Sequence, residues 1–164
     1  MPKNNKECKI KTKIVEIKRS HIMCKAAEVG KIVINKCLDA EMNINTQKLQ
    51  KLLVLMQVEC IRRSGKPLFK EDIRKWDCGV AIKEVDEEFS NYGQGFYCKF
   101  EEYITLLDAE EKSVDYIIEQ YGSKDAFELN LLQDNQKVLQ LGVKTDGGTV
   151  PHVSYQILIG VFSE

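Results

Sequence analysis

The chain has 164 residues, of which 43% are hydrophobic and 30% are charged, and its formal net charge is −1. This composition is typical of a globular protein, and a chain of this length can bury one sizeable hydrophobic core. It argues against a strongly basic nucleic-acid-binding protein and, since no run approaches the ~20 apolar residues of a membrane span, against a membrane protein.

Positive charge is concentrated in the first 20 residues, where seven Lys and Arg oppose two acidic residues. Within residues 9–17, apolar side chains alternate with lysines, which predicts an edge strand with a lysine-bearing outer face. The alternative is an arm that attracts nucleic acid or an acidic protein surface. Residues 1–20 are therefore interpreted as a basic extension preceding a domain at 21–164. Because this basic segment lacks the apolar core of a secretory signal, we expect a cytoplasmic protein.

Two long helices are predicted next, at about residues 22–39 and 46–64. The inward stripe of the first comprises Ile22, Ala26, Val29, Val33 and Cys37. The second has apolar residues on two sides: Leu49, Leu52, Leu53, Met56 and Cys60 on one, and Val54, Val58 and Ile61 on another. A helix covered on two sides is expected at the centre of the fold.

The boundaries of this second helix also follow from the sequence. Asn45 or Thr46 can cap its N-terminus, and Gly65 with Pro67 ends it. Its remaining polar side carries Lys48, Lys51 and Arg62, which we expect to cluster there.

Beyond the Gly-Lys-Pro-Leu-Phe connector, Phe69, Ile73 and Trp76 fit a short helix or a strand equally well. A helix is expected around Ile82, Val85 and Phe89. Another is expected at about 108–121, opened by Asp108 with Glu111 at capping-box spacing, with Val114, Ile117, Ile118 and Tyr121 inward. Ser123 is expected to cap a short further helix that carries Ala126, Phe127 and Leu131.

The C-terminal region is less clear. Residues 138–143 favour a strand, and 144–164 fit either a strand or a final helix capped by Ser154. The predicted class is α+β, mainly α-helical: a single compact domain with a central buried helix, about five helices, and short strands at the N-terminus and near the C-terminus.

The stretch from residue 46 to 92 resembles the Panacea domain, a family that includes phage-associated proteins and the antitoxin SocA. The residues that match the family pattern are Lys48, Leu49, Gln50, Lys51, Leu52, Leu53, Gln57, Gly65, Pro67, Leu68, Phe69, Ile73, Trp76, Gly79, Glu84, Val85 and Phe89. The resemblance extends over roughly residues 22–130. This chain departs from the pattern in three places. Val54 and Leu55 replace an aromatic pair, residues 78–81 lack the proline of a Tyr-Gly-Pro-Val turn, and residues 131–141 lack a Thr-His-x-x-x-Pro-Trp segment.

The resemblance implies a non-enzymatic, antitoxin-like neutraliser that occludes one toxin or effector protein, with a protease as a further partner if it acts as an adaptor. The expected contacts are Lys48, Lys51, Arg62, Arg63, Trp76, Asp77, Gly79, Glu87 and Glu88. The alternative function is a phage-encoded inhibitor of a host defence nuclease complex, in which only the basic N-terminus would touch nucleic acid. The identity of the partner and the oligomeric state stay open.

An enzymatic role has weaker support in the sequence. The six cysteines include no Cys-x-x-Cys pair, so we expect no metal or cofactor and, in a cytosolic setting, reduced thiols. A Cys–His hydrolase using His21 or His152 is a third hypothesis, with no local pattern in its favour. The glycines at 93–95 and 147–148 lack the context of a phosphate-binding loop. The eleven acidic residues between Glu84 and Glu119 are interpreted as a solvated face that could dock a basic partner.

Overall fold

The computed structural model describes residues 15–17, 23–76, 79–93, 95–129 and 152–153. This part of the chain is mainly helical, as the sequence predicts. Its helices are α1 (Ala26–Asp39), α2 (Thr46–Ser64), α3 (Lys83–Phe89), which runs into a 3-10 turn at Ser90–Tyr92, α4 (Asp108–Tyr121), and a helical stretch at residues 126–129. None of the helices described here has the length and apolarity needed to cross a membrane.

Helix α2 is the centre of the fold. It contacts α1, α3, α4 and the strand at Gly79–Ala81, and its buried residues lie on all sides rather than along one stripe. Both predicted apolar strips are buried apart from Val58, which is partly buried. The expectation of a central buried helix is therefore confirmed.

The ends of α2 follow the capping rules. The Asn45 side chain accepts a hydrogen bond of 2.8 Å from the backbone N–H of Lys48, so Asn45 is the N-cap rather than Thr46. Gly65 closes the helix in the left-handed region at φ 73°, where a side chain would strain the backbone. Its N–H donates to the Ile61 carbonyl at 2.7 Å.

Helix α1 lies close to α2 and α3 because of one glycine. A Cβ added to Gly30 would lie 3.1 Å from a ring carbon of Phe89 and 3.5 Å from a Leu49 methyl. The predicted stripe of α1 is buried as expected from Ala26 to Cys37, although the helix begins at Ala26 rather than near 22.

Short strands join the helices. Strand β1 (Val15–Ile17) pairs in parallel with β4 (Glu102–Ile104). Strand β2 (Ile73–Trp76) pairs antiparallel with β3 (Gly79–Ala81) on one side and with β5 (His152–Val153) on the other. The question left open for Ile73 and Trp76 is answered in favour of a strand.

Other predicted segments fall largely outside the described residues. They are the rest of the N-terminal strand at 9–14, the strand at 138–143 and the final segment other than β5. The α+β class and the division at residues 20 and 21 therefore stay predictions.

Two predicted helix caps are wrong. Helix α4 spans the predicted residues, but Leu107 rather than Asp108 is its N-cap. The carboxylate of Glu110, not that of Glu111, accepts a hydrogen bond of 2.9 Å from the Leu107 N–H. The helical stretch at 126–129 is capped by Asp125 instead of Ser123. The backbone N–H of each of Asp125 and Glu128 donates to the other's carboxylate, at 2.9 and 2.8 Å.

Candidate partner-binding site

Three side-chain amides hold the irregular segments of the fold against the helices. Gln57 of α2 accepts from the N–H groups of Leu68 and Phe69, at 2.7 and 3.1 Å, and donates to the Phe69 carbonyl at 2.9 Å. The amide thus takes the place of a strand neighbour for the connector after α2. Gln57 is 2% exposed, so these three backbone groups are satisfied without water.

The other two amides repeat this geometry. Gln50, also buried on α2, accepts from the Ile82 N–H at 2.8 Å and donates to the Ile82 carbonyl at 3.0 Å. Asn35 of α1 does the same with Phe100, at 2.7 and 2.9 Å. Gln50 and Gln57 are among the residues that carry the resemblance to the Panacea domain, and in this chain both make interior, structural contacts.

Lys48 and Lys51 do not lie on an exposed polar face, so that expectation is wrong. They are only 6% and 7% exposed. The Lys48 ammonium donates to the Asn43 carbonyl at 2.7 Å and to the Gly122 carbonyl, joining the loop before α2 to the end of α4. Burial lowers the pKa of Lys48 below its ordinary value, against the smaller opposing effects of Cys37 and Asp125.

The physical reason for this error is the length of the lysine side chain. Because α2 is enclosed on all sides, the stem of Lys48 packs in the core while its charged end reaches the Gly122 carbonyl at the end of α4 and the Asn43 carbonyl before α2. The position of a lysine on a helical wheel does not reveal this. A contact role for Lys48 and Lys51 stays a prediction, but little of either side chain is exposed to a partner.

Arg62 and Arg63 are accessible, by contrast, at the C-terminal end of α2. Both guanidinium groups bond the same buried carboxylate, that of Glu59. Arg62 binds it through Nε and Nη2 at 2.9 and 2.6 Å, and Arg63 through Nη2 at 3.0 Å. Their side chains are 57% and 33% exposed, whereas that of Glu59 is 7% exposed. These bonds raise the pKa of Arg62 above its ordinary value.

An aromatic ring from α4 completes this surface. The Arg63 guanidinium lies 5.8 Å from the centre of the Tyr116 ring, and Tyr116 is 40% exposed. We call Glu59, Arg62, Arg63 and Tyr116 the arginine cluster. Arginine and tyrosine are the residue types that dominate binding energy at protein interfaces. Tyr116 was not among the predicted contacts because its approach to Arg63 depends on the packing of α4 against α2. Glu59 was also missed, although its position three and four residues before the two arginines is a spacing that the sequence shows.

Glu87 and Glu88 lie on the outer side of α3, as expected, with side chains 62% and 49% exposed. Glu87 pairs with Lys83 at 3.5 Å and Glu88 with Lys31 at 3.9 Å. Tyr92 follows in the adjoining 3-10 turn and is 45% exposed. We call Glu87, Glu88 and Tyr92 the acidic face.

The remaining predicted contacts lie on the hairpin of β2 and β3. Trp76 and Gly79 are paired with each other in the strand register. Asp77 lies outside the described residues. The structure thus places the hairpin, the arginine cluster and the acidic face on three different groups of elements.

The described cysteines are poorly suited to nucleophilic chemistry. Cys24, Cys37 and Cys60 are buried and are not part of a disulfide. Burial raises the pKa of the Cys37 thiol to about 11, despite the nearby Lys48, and also raises the pKa of Cys60. Cys98 is disulfide-bonded, so the expectation of reduced thiols is wrong at that position. Within the described ranges, His, Cys, Asp and Glu form no group of three that could hold a metal ion.

A protein-family model identifies the family of this chain. The model of the SocA-like antitoxin family, Panacea domain, matches residues 49–137, which is more than half of the chain. The chain belongs to this family. No curated protein and no solved structure matches it.

Membership of the SocA-like Panacea family supports a general antitoxin role with a protein partner. The matched region begins within α2 and extends past α4, so it includes the arginine cluster, the β2–β3 hairpin and the acidic face. It also includes Gln50 and Gln57, whose side-chain amides hold Ile82 and the connector after α2 by their backbone groups.

Proposed function

We propose that this protein is a non-enzymatic neutraliser that binds one toxin or effector protein and occludes its active surface. The observation that carries the proposal is the arginine cluster, which is partly exposed, lies inside the region matched by the antitoxin family, and has its guanidinium groups fixed before any partner arrives. Groups that are already ordered lose less conformational entropy on binding.

Charge supports two separate contacts in this mechanism. In the arginine cluster, two positively charged guanidinium groups share one carboxylate. The acidic face presents Glu87 and Glu88, followed by the exposed Tyr92. Complementary charges of both signs speed association and fix the orientation of a partner. Burial raises the pKa of the Cys37 and Cys60 thiols, so neither of these two side chains favours covalent catalysis.

Titration against a purified toxin tests the proposal directly. The partner is recovered by affinity purification from the native host and identified by mass spectrometry. Its activity is then measured as the neutraliser is added. We expect activity to fall to a sharp endpoint at a fixed stoichiometry, without consumption or modification of either protein. Loss of activity that continues with time at a substoichiometric ratio would instead indicate catalysis and would contradict occlusion.

Two charge reversals locate the contact surface. The first pair, Arg62→Glu with Arg63→Glu in the arginine cluster, is made together with Glu59→Gln so that no buried carboxylate is left unpaired, and thermal unfolding verifies that the variant is folded. The second pair, Glu87→Lys with Glu88→Lys, changes the acidic face. We expect at least one pair to weaken binding by about 10-fold or more, because a desolvated charge meeting a like charge costs several kcal/mol. Lys112→Glu, at an exposed position of α4, is the control for a general charge effect. Full affinity in both reversals would remove both surfaces from the site.

The basic N-terminus favours a second function, inhibition of a host defence nuclease complex. Residues 1–20 carry seven Lys and Arg against two acidic residues, which suits contact with a complex that holds nucleic acid. Deletion of residues 1–14, which removes five of these lysines but leaves β1 in place, should then abolish inhibition of such a complex, with thermal unfolding as the check that the shortened chain is folded. Unchanged inhibition by the shortened chain would rule out a role for the arm. A role as protease adaptor predicts faster degradation of the bound partner in the presence of this protein.

A further inference from the structure

The arginine cluster has an excess of hydrogen-bond donors over acceptors. Each guanidinium has five N–H donors, and the three bonds to Glu59 use only a minority of them. Among the residues that the structure describes, one carboxylate is bonded to two arginines, and these three side chains together carry a net charge of +1 at a partly exposed position. The chemical complement of such a site is a second carboxylate.

Two features prepare the cluster for that carboxylate. Glu59 is buried on α2 and holds both guanidinium groups in position, so the free N–H groups keep a defined direction. Tyr116 adds an exposed ring 5.8 Å from Arg63, and this ring can pack against an apolar side chain next to the incoming carboxylate.

The surroundings favour a short acidic peptide over nucleic acid. Glu119 lies one turn from Tyr116 on the same face of α4 and is exposed, so a continuous phosphate backbone would meet repulsion there. Phosphate binding also requires several clustered cations, whereas the excess here is a single charge. The other exposed acids of α4 are largely paired: Asp115 and Glu111 with Lys36, at 2.8 and 3.5 Å, and Asp108 with Lys112 at 2.9 Å. A peptide with spaced carboxylates avoids most of this repulsion.

We propose that the arginine cluster is a binding site for an acidic segment of the partner, with a carboxylate bonded to Arg62 and Arg63 and an adjacent apolar residue packed on Tyr116. This rests on the proposed function only in taking the partner to be a protein, and it adds the chemistry of the segment that is recognised.

The direct test uses a synthetic probe in place of the partner. A fluorescein-labelled peptide of sequence Gly-Glu-Leu-Glu-Leu-Glu-Gly is titrated with the full chain and followed by fluorescence anisotropy, alongside the same peptide with glutamine for glutamate. We expect the glutamate peptide to bind at least about tenfold more tightly at low ionic strength, and the difference to shrink as salt screens the charges.

The key variant removes the whole charge cluster at once. Arg62→Gln with Arg63→Gln alone would leave Glu59 buried and unpaired and could prevent folding. The triple variant E59Q/R62Q/R63Q replaces all three charges by neutral amides, and thermal unfolding verifies that it is folded. We expect it to lose the preference for glutamate. Lys83→Gln, which makes the same change in net charge at an exposed site on α3, should keep it.

A third measurement tests the role of the ring. Tyr116→Ala should weaken binding of the glutamate–leucine peptide by about threefold to tenfold. The same variant should leave binding of a glutamate–glycine peptide unchanged.

Three results would overturn the proposal: equal binding of the glutamate and glutamine peptides, a preference that survives in the folded triple variant, or tighter cluster-dependent binding of a single-stranded oligonucleotide. Its failure is distinguishable from failure of the proposed function. A toxin neutralised through the acidic face alone would preserve the proposed function and contradict this inference. If the chain binds the peptide through the arginine cluster but neutralises no toxin, this inference holds and the proposed function fails.

Discussion

The side-chain amide of Gln57 bonds both the N–H and the C=O group of Phe69, at 3.1 and 2.9 Å, in the manner of a neighbouring β-strand. Phe69 also forms an isolated parallel bridge with Cys24, which joins the connector to the segment before α1. The connector is therefore held from two sides through its backbone. Its position determines where β2 begins and thus where the β2–β3 hairpin lies.

Replacement of Gln57 by alanine should destabilise the fold strongly. The change leaves two buried N–H groups and one carbonyl without partners, and we expect a loss of about 2–4 kcal/mol in the free energy of unfolding. Urea denaturation followed by circular dichroism measures it. Gln47→Ala, at an exposed position in the first turn of the same helix, is the matched control and should cost less than about 0.5 kcal/mol. Equal effects of the two changes would contradict the structural role given to Gln57.

Lys48→Met should lower stability by about 1–2 kcal/mol, because the carbonyls of Asn43 and Gly122 lose a charged donor. This loss of stability is kept small because the variant no longer has to bury a charged ammonium group. Lys66→Met, at an exposed position, is the control. The same Lys48 variant tests its predicted contact role: we expect partner affinity of the folded fraction to be unchanged, and a loss of affinity at full stability would restore that role.

Cys37 should make the fold less stable in alkaline solution. Its thiol has a pKa of about 11 when folded and an ordinary value of 9.0, so the folded state binds more protons between these pH values. Stability from this group is fully present below pH 9.0 and falls as pH rises towards about 11, by on the order of 2 kcal/mol. Urea unfolding at a series of pH values measures the slope.

The slope needs a control because Lys48 lies nearby and acts in the opposite direction. Its pKa is lowered in the folded state, so its contribution to stability rises with pH as the amine becomes neutral. Comparison of the wild type with Cys37→Ala isolates the thiol, and the variant should show a more positive slope above pH 9.0. Identical slopes would contradict a desolvated thiol at this position.

Gly122→Ala should destabilise the junction between α4 and the loop before α2. The backbone of Gly122 has φ −63°, which alanine tolerates, but its Cβ would lie 2.7 Å from the Met42 sulfur and against the Ile118 carbonyl. We expect a cost of about 1–3 kcal/mol.

A double-mutant cycle with Met42→Ala tests the cause. The cost of Gly122→Ala should fall by about 1 kcal/mol or more when Met42 is already truncated, since one of the two close contacts is then gone. Additive effects would mean that the Ile118 carbonyl alone determines the cost.

Much of the helical part of the fold could be predicted from sequence because apolar periodicity reports burial directly. The two strips of α2 predicted a central helix, and the stripe of α4 predicted its range. The caps were harder to predict. The backbone N–H groups of Leu107 and Asp125 each bond the carboxylate of the residue three positions later. Several acidic residues near each helix start have this spacing, so the sequence does not show which of them forms the cap.

The candidate site could be predicted only in part, for reasons specific to each side chain. Arg62 and Arg63 follow the last buried turn of α2, so their exposure could be expected. The burial of Lys48 depends on the end of α4, which lies 74 residues away in sequence. Tyr116 joins Arg63 through the packing of α2 on α4, which no local pattern contains. The tertiary partners, rather than the residue types, were missing.

The side-chain amides of Gln50, Gln57 and Asn35 form these hydrogen bonds with main-chain atoms only. Hydrogen bonds to the main chain do not depend on which side chains the neighbouring exposed positions carry, for example at Lys70. Side chains can therefore change at such exposed neighbours, by selection or by design, while Leu68, Phe69 and Ile82 remain in the core.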